Sequence, residues 1–325
     1  MKAHESPPGA RSAKLPNFIL AGAPKSGTTA LYHYLRQHPQ IYLSPIKEPT
    51  FFGADDFLTD PEIRAQVSRE QDRLRAYLAQ PKLHSTHFLI TEWNDYVQLF
   101  REVLEEIAVG EASVSYLWLP GSAAALRARL PEARLIFILR DPTERLFSLY
   151  LLDRRRAAGT TFRDWVLKAM QQAGDSPGVR RYPIPLDGGF YATQLGRFLE
   201  FFPRHQIKIH RYEEFRADPR RVLRDLFEFL GVNSGFPVDL SRRHNETLVP
   251  RFPALAAFRK KFFGQRRLLG WLPDKPAHFV RRLLYAGKSS FEVAPEDRKL
   301  VVDYYRDEIV RTEELIGMDL SRWRR

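Results

Sequence analysis

A glycine-containing loop near the start of the chain combines residue types that suit the binding of a phosphate group. Gly22 and Gly27 are separated by four residues. The charged and hydroxyl side chains of this stretch are Lys25, Ser26, Thr28 and Thr29. Backbone N–H groups of such a loop, together with the positive end of a following helix, bind anions. The sequence therefore predicts a phosphate-binding loop over residues 22–27, here called the phosphate loop.

The position of the lysine distinguishes this loop from the usual nucleoside-triphosphate loop. In that loop a lysine follows the second glycine, and the next hydroxyl holds Mg²⁺. Here Thr28 and Thr29 occupy those two positions, and the lysine lies inside the loop at Lys25. This arrangement suits one phosphate and a leaving bridge oxygen better than ATP·Mg²⁺. A P-loop kinase is the alternative, and dependence on Mg²⁺ would favour it.

A second group of residues that could bind an anion follows the apolar run of residues 135–139. Arg140 stands directly after that run, and a guanidinium offers a planar fork of donors to a phosphate. Asp141 and Pro142 are typical of a helix N-cap and first helical position. Ser148 lies about two turns further along that helix, on the same side. Two anion sites at neighbouring strand ends suit a nucleotide with separate 5′ and 3′ phosphates.

Both groups resemble signatures of one enzyme family. Residues 23–31 are similar to the 5′-phosphosulfate loop of sulfotransferases that use 3′-phosphoadenosine 5′-phosphosulfate (PAPS). Residues 140–150 resemble the 3′-phosphate motif of the same family. The similarity is to the heparan-sulfate-type and bacterial branch. It implies that PAPS is held by Lys25, Ser26, Gly27, Thr28, Thr29, Arg140 and Ser148, with Arg251 in a basic loop over the nucleotide.

The segment 47–52 resembles the part of these enzymes that supplies a catalytic glutamate. The resemblance implies that Glu48 deprotonates the acceptor, that Lys25 stabilises the departing phosphate oxygen, and that Lys47 assists. It also implies direct in-line transfer without a metal or a covalent enzyme intermediate. Two alternatives stay open. Glu48 and Lys47 could form only a surface ion pair, or a histidine could be the base, with candidates His84, His87 and His244.

The residues expected to face the acceptor depart from the heparan-type pattern. Ala112 stands where those enzymes have a lysine that contacts an anionic sugar, and Val114 replaces a proline. Thr50 replaces a histidine beside the glutamate. These differences weaken the case for a highly sulfated polysaccharide. A carbohydrate, a lipid-linked molecule or a natural product, sulfated on a hydroxyl or an amine, stays open, as does the oligomeric state.

Alternation of short apolar runs with helical patterns predicts the elements that position these residues. Strands are expected near residues 17–21, 41–43, 135–139 and 206–210, and a strand followed by a loop is expected over 110–119. Helices are expected over residues 28–38, within 60–107 (including 93–107), and over 123–130, 142–149, 190–202, 218–230 and 295–316. The segment 211–215 is expected to complete a strand and loop. The fold class is therefore α/β, with a P-loop-like parallel sheet of about five strands flanked by helices on both faces.

Composition limits the remaining classes of function. The chain has 325 residues and a net charge of +12, which suits an anionic partner. It lacks cysteine, so disulfides and thiolate chemistry are excluded. A nucleic-acid-binding protein is the second alternative, but helix-turn-helix, zinc and RNA-recognition signatures are absent. No apolar run reaches the ~20 residues of a membrane span. We expect a mobile tail over 1–15, one domain over 16–325, and a cytoplasmic protein.

Overall fold

The computed structural model describes residues 14–79, 88–153, 159–174, 185–241, 249–250, 285–286 and 292–325. Most of the predicted N-terminal tail lies outside these ranges. Contacts divide the chain into two compact units. The first comprises Met1–Arg140, Val179–Tyr182 and Tyr191–Arg242, and the second comprises the remaining segments. The assignment of 16–325 to one domain stays a prediction.

The first unit contains a five-stranded sheet in which all neighbouring strands are parallel. The strand order is β2-β3-β1-β4-β5. The strands are β1 (Phe18–Leu20), β2 (Ile41–Leu43), β3 (Ala108–Ala112), β4 (Arg134–Leu139) and β5 (Ile207–Arg211). This sheet confirms the predicted fold class. Because the strands are parallel, the loops that follow β1, β2, β3 and β4 all leave the same edge of the sheet.

Helices surround this sheet. Those of the first unit are α1 (Thr28–Leu35), α2 (Ala54–Leu58), α3 (Pro61–Ala79), α4 (Trp93–Gln98), α5 (Ser122–Arg129), α8 (Tyr191–Phe201), α9 (Tyr212–Ala217) and α10 (Pro219–Leu230). Short 3₁₀ turns occupy Phe51–Gly53, Val114–Leu117 and Arg204–Gln206. The apolar core includes β1, which is fully buried, and apolar side chains of α1 and α10.

Two predicted elements differ in the structure. The helix predicted over 93–107 ends at Gln98. Beyond Gln98 the chain continues in turns, where the Leu99 N–H donates to Tyr96. Further on, the N–H groups of Ile107 and Ala108 both donate to the Gln40 carbonyl, and the chain continues as β3 in register with β2. The segment predicted as strand and loop after Arg211 begins the short helix α9 instead. There the Glu214 carboxylate accepts the Arg211 N–H and caps the first turn.

In the residues that the structure describes, the second unit has three helices and a two-stranded antiparallel pair. The helices are α6 (Pro142–Asp153), α7 (Phe162–Gly174) and α11 (Pro295–Ile316), and a 3₁₀ turn occupies Asp187–Gly189. The pair consists of β6 (Val249–Pro250) and β7 (Tyr285–Ala286). Helix α6 packs against α7 and α11. Within the ranges described, none of the helices combines the length and the apolar character that a membrane crossing requires.

The start of α6 is capped as the sequence predicts. The Asp141 carboxylate accepts the N–H of Thr143 at 2.8 Å and that of Glu144 at 3.3 Å. Arg298 of α11 reaches the same carboxylate at 3.1 Å and Glu144 at 3.3 Å. Burial raises the pKa of Asp141, and Arg298 opposes that shift. The cap and the bridge together fix the first turn of the helix that carries Ser148.

Candidate functional site

The phosphate loop is held against β4 by its backbone. The Ala21 N–H donates to Ile136 at 2.9 Å, and the Ala23 N–H donates to Ile138 at 3.0 Å. Between these bonds Gly22 approaches β4 so closely that an added Cβ would lie 2.2 Å from the Ile138 nitrogen. A side chain at this position would collide with backbone, which cannot swing away. The path of the loop therefore requires glycine at position 22.

The second half of the phosphate loop turns into α1 through two left-handed residues. Lys25 has φ of 66° and Gly27 has φ of 83°. An added Cβ at Gly27 would lie 2.9 Å from the Tyr212 ring. Gly27 provides no side-chain cap, so the first N–H groups of α1 have no side-chain acceptor there. Ser26 is fully buried and its Oγ has no hydrogen-bond partner. The loop thus offers donors that the protein itself leaves unused.

Arg140 joins the phosphate loop from the end of β4. Its Nη1 donates to the Lys25 carbonyl at 2.8 Å, and its guanidinium lies 4.7 Å from the centre of the Tyr212 ring. The Tyr191 hydroxyl donates to the Arg140 carbonyl at 2.8 Å. The structure therefore brings together Lys25 and Arg140, two of the residues that the sequence predicts to bind phosphate.

Tyr212 is a contributor to this site that the sequence reasoning assigned only to structure. It follows β5 directly and begins α9. Because β5 pairs with β4, its carboxyl end lies beside that of β4, where Arg140 stands. The sequence does show an aromatic residue, Tyr212, directly after a predicted strand. Placing it beside Arg140 requires knowing that β5 and β4 are neighbours, and the sequence alone does not reveal that strand order.

The loop that follows β2, residues 47–50, carries the predicted base and is here called the Glu48 loop. Lys47 Nζ lies 2.6 Å from Glu48 Oε1, and both side chains are partly exposed. The Glu48 N–H donates to the Ala112 carbonyl at 2.8 Å. Glu48 and Thr50 have φ of 66° and 55°. The predicted base and its neighbouring lysine thus form an ion pair at the carboxyl edge of the sheet.

The phosphate loop and the Glu48 loop share left-handed backbone conformation. Among the residues that the structure describes, three that are not glycine have positive φ: Lys25, Glu48 and Thr50. Such residues cost about 1–3 kcal/mol each and persist only where surrounding contacts hold them, commonly at functional sites. Two of these three residues, Lys25 and Glu48, are among those that the sequence predicts to act in catalysis.

A fully buried carboxyl lies beneath the Glu48 loop. Glu111, near the end of β3, accepts hydrogen bonds from Ser113 Oγ at 2.8 Å and from the Tyr116 hydroxyl at 2.6 Å. Burial raises the pKa of Glu111 to about 7, and the Glu48 charge adds to that rise. Ser113 and Tyr116 in turn accept backbone N–H groups of Thr50 and Phe52. In the sequence, this stretch stands out for Ala112 and Val114, which depart from the heparan-type pattern, and not for its glutamate.

The remaining predicted residues lie at the start of α1, in the second unit or outside the described ranges. Ser148 lies on α6 in the second unit and is buried, with 2% of its surface exposed. Thr28 and Thr29 begin α1, as predicted. Arg251 lies outside the described residues, as do the alternative bases His84, His87 and His244. Their roles stay predictions.

Comparison with known proteins identifies the family. The model of the sulfotransferase family matches residues 16–236. A sulfotransferase from Alicyclobacillus acidocaldarius is 30% identical, with a TM-score of 0.66; the match covers 96% of this chain and 100% of that one. Mouse carbohydrate sulfotransferase 15 is 27% identical over 298 residues, which cover 77% of this chain and 52% of that protein.

A second curated relative is the bovine bifunctional heparan sulfate N-deacetylase/N-sulfotransferase 2. It is 28% identical over 227 residues, which cover 67% of this chain and 22% of that protein. The chain thus spans about half the length of the first curated relative and a smaller part of the second. The family match covers both the phosphate loop and Arg140, and it also includes the Glu48 loop. The chain therefore belongs to the sulfotransferase family.

Proposed function

We propose that this protein transfers a sulfuryl group from PAPS to a hydroxyl or amine of an acceptor molecule. The observation that carries the proposal is the contact between Arg140 and the Lys25 carbonyl, which joins the phosphate loop to the arginine of the neighbouring strand. A donor with phosphates at both the 5′ and 3′ positions needs two such anion sites close together. A nucleoside triphosphate does not need the second one.

The residues of the phosphate loop fit the 5′ end of this donor. The unpaired Ser26 hydroxyl and the uncapped start of α1 supply donors, and Lys25 supplies positive charge. Thr28 and Thr29 add hydroxyls at the first turn of α1. Arg140 fits the 3′-phosphate, and we propose that Ser148 and Arg251 share that role. When bound, PAPS supplies the sulfuryl group and a phosphate leaving group.

Glu48 is the base in this proposal. The acceptor oxygen or nitrogen forms a bond to sulfur as the bond between sulfur and the bridging oxygen breaks. Glu48 takes the proton that the acceptor loses. Lys25 stabilises the electron pair left on the bridging oxygen. Lys47, which now pairs with Glu48, is free to turn toward the same developing charge once the carboxylate engages an acceptor.

A carbohydrate is the acceptor class that we propose first. The two curated relatives are named for carbohydrate and heparan sulfate substrates. Ala112 is fully buried and provides no cation where heparan-type enzymes are expected to place a lysine. This favours a carbohydrate with little negative charge, free or attached to a lipid or natural product, over a highly sulfated polysaccharide.

Isothermal titration with 3′-phosphoadenosine 5′-phosphate (PAP) tests the donor. PAP and AMP are titrated in EDTA, and ATP is titrated with Mg²⁺. We expect PAP to bind much more tightly than AMP. Arg140→Ala should remove most of that preference, since a hydrogen bond to a charged group contributes about 1.5–3 kcal/mol. Lys168→Ala, at an exposed position on α7, is the control and should bind like wild type.

Two results would contradict the donor assignment. Equal affinity for PAP and AMP in the wild type would remove the 3′-phosphate site. Tight binding of ATP·Mg²⁺ alone would replace the sulfotransferase proposal with a kinase, the alternative that the loop frame of Gly22 and Gly27 allows. A screen of neutral and anionic sugars with radiolabelled PAPS then tests the acceptor, and transfer only to highly sulfated chains would overturn the acceptor class.

A further inference from the structure

The buried Glu111 carboxylate uses its two oxygens on two different hydroxyl groups. Ser113 Oγ lies 2.8 Å from Oε2, and the Tyr116 hydroxyl lies 2.6 Å from Oε1. Each hydroxyl has one proton to donate. Since an ionised carboxylate only accepts, both protons point toward Glu111. The lone pairs of both hydroxyls are therefore left to face other donors.

Those donors belong to the segment that contains the proposed base. The Thr50 N–H donates to Ser113 Oγ at 3.1 Å, and the Phe52 N–H donates to the Tyr116 hydroxyl at 3.4 Å. Thr50 Oγ1 is also 3.3 Å from the Ser115 hydroxyl. The residues that hold the loop stand about 63 positions further along the chain. Two hydroxyls thus accept the N–H groups of the turn after Glu48, and the Glu111 carboxylate sets the orientation of both hydroxyls.

We propose that Glu111 is a positioning residue for the reaction, holding the Glu48 loop in its left-handed conformation through the hydroxyls of Ser113 and Tyr116. The inference rests on the proposed function, in which Glu48 is the base. The loop needs such support because Glu48 and Thr50 both have positive φ. A loop released from these bonds would relax toward ordinary backbone angles and would move the Glu48 carboxylate away from the acceptor.

The charge on Glu111 gives this role a measurable signature. The groups that face its carboxyl are Tyr96 of α4, Tyr116, and the pair Lys47 and Glu48. Burial, followed by the Glu48 charge, raises its pKa to about 7, while Lys47 and both hydroxyl hydrogen bonds act in the opposite direction. Once protonated, the carboxyl donates a proton itself, so the hydroxyl that receives it must turn its own proton away from Glu111, which disturbs the hydrogen bond from the loop N–H.

Activity and stability should therefore respond to pH in opposite directions. The ionised carboxyl holds the loop, so its contribution to kcat rises as pH increases through about 7. Because the pKa in the folded state exceeds the ordinary value of 4.5, the unfolded chain loses this proton first. The contribution of Glu111 to stability consequently falls between pH 4.5 and about 7. A residue that only supported the fold would not make kcat rise over the pH range in which its contribution to stability falls.

The decisive variant is Glu111→Gln, measured for kcat, for the affinity of PAP and for pH dependence. The amide keeps the volume of the carboxyl but presents an NH₂ group to one hydroxyl, which must then turn its own proton away and hold the loop N–H in a poorer geometry. We expect kcat to fall about 10- to 100-fold, as displacements of catalytic groups commonly cause. The Kd of PAP should stay within about twofold, and the inflection of kcat near pH 7 should disappear. Glu308→Gln, a buried carboxyl on α11, is the matched control and should keep wild-type kcat.

Ser113→Ala and Tyr116→Phe test the route and carry the experiment if Glu111→Gln does not fold. Each should lower kcat without changing PAP affinity. In the double variant Glu111→Gln/Ser113→Ala, the loss of kcat, expressed as a free energy, is compared with the sum of the losses in the two single variants. If both residues act through the same hydrogen bonds, the loss in the double variant should be smaller than that sum. Unchanged kcat in Ser113→Ala and Tyr116→Phe would overturn the proposal. A loss of kcat that merely parallels lost PAP binding and lost folded protein would also overturn it.

Glu48→Gln separates this inference from the proposed function. If Glu48→Gln retains activity, the base assignment fails, whatever Glu111→Gln does. If Glu48→Gln is inactive while Glu111→Gln is normal in both kcat and pH profile, the base assignment stands and the positioning role is wrong.

Discussion

The phosphate loop and the Glu48 loop leave the same edge of one sheet and both contain left-handed residues, but they are held by different means. Backbone hydrogen bonds from Ala21 and Ala23 fix the phosphate loop, and the absence of side chains at Gly22 and Gly27 makes its path possible. The Glu48 loop also has backbone hydrogen bonds, from the Glu48 N–H to Ala112 and from the Ile90 N–H to Pro49. Its turn, however, relies on side chains, because the N–H groups of Thr50 and Phe52 donate to the hydroxyls of Ser113 and Tyr116, which in turn donate to Glu111.

This difference separates what each loop can tolerate. A loop fixed by backbone fails when a side chain is added, whereas a loop fixed by side chains fails when one is removed. The backbone of a loop of the first kind tolerates many changes of side chain, but such a loop does not tolerate a larger residue at its glycines. The second kind keeps its shape only while a set of distant residues stays intact, and its catalytic geometry can be adjusted by changing them.

The largest effect is expected at Glu48, the proposed base. Glu48→Gln removes the proton acceptor, and turnover should fall about 10²- to 10⁴-fold, as for loss of a general base. PAP affinity should stay near that of wild type, because the phosphate loop is built separately. Single-turnover transfer and calorimetry measure the two quantities. Glu228→Gln, at an exposed position on α10, is the control. Near-normal turnover would assign the base to another residue.

Lys25→Ala is the matching change in the phosphate loop. Turnover should fall about 10²- to 10³-fold because the charge on the bridging oxygen loses its stabilisation. PAP binding should weaken in the same variant, unlike in Glu48→Gln, and this contrast is the sharpest distinction between the two loops. Measurement of kcat and of the Kd of PAP decides it. If Lys25→Ala lowered neither quantity, the phosphate loop would have no part in the reaction.

Gly22→Ala tests whether the phosphate loop depends on a missing side chain. The new Cβ would lie 2.2 Å from the Ile138 nitrogen, so the free energy of unfolding should fall by about 3 kcal/mol. Gly196→Ala in α8 is a matched control, since its added Cβ meets nothing within 4 Å. That variant should gain up to about 1 kcal/mol from helix propensity. Urea denaturation compares the two. Equal stability of both variants would contradict the close approach.

The smallest effect is expected at Tyr212, where the phosphate loop does depend on a side chain. Tyr212→Leu removes the ring beside Arg140 and should reduce the preference for PAP over AMP by about 1 kcal/mol. Tyr212→Phe keeps the ring and should keep most of that preference. Competition binding of PAP and AMP measures both variants. A larger loss in Tyr212→Phe than in Tyr212→Leu would show that the hydroxyl, and not the ring, positions the arginine.

The sequence predicted the backbone-built parts of the molecule better than the side-chain-built parts. Continuous apolar residues marked β4, and apolar residues at helical spacing marked α11, because these signals are local. The glycine spacing indicated the phosphate loop for the same reason. Arg140 was expected near that loop from its place after a strand, although only the strand order showed that the two strands are neighbours.

The support of the Glu48 loop could not be read in the same way. Thr50 and Ser113 are 63 positions apart, and nothing in the local pattern of either segment indicates that they meet. Glu111 lies within β3, and the pattern of that strand predicts only that the position is buried. It does not indicate that the carboxylate there orients two hydroxyl groups. Helix α9 was missed because its six residues follow a strand without a break, and a single carboxylate caps it.

The unpaired hydroxyl of Ser26 has a consequence for handling the protein. A ligand that satisfied this group would bind the folded chain and not the unfolded one, so mass action would raise the apparent melting temperature. At a ligand concentration 100 times Kd, the gain is about 2.7 kcal/mol. A thermal-shift plate of nucleotides therefore ranks donors before any acceptor is known, and under the proposed function we expect PAP to stabilise the protein during purification and storage.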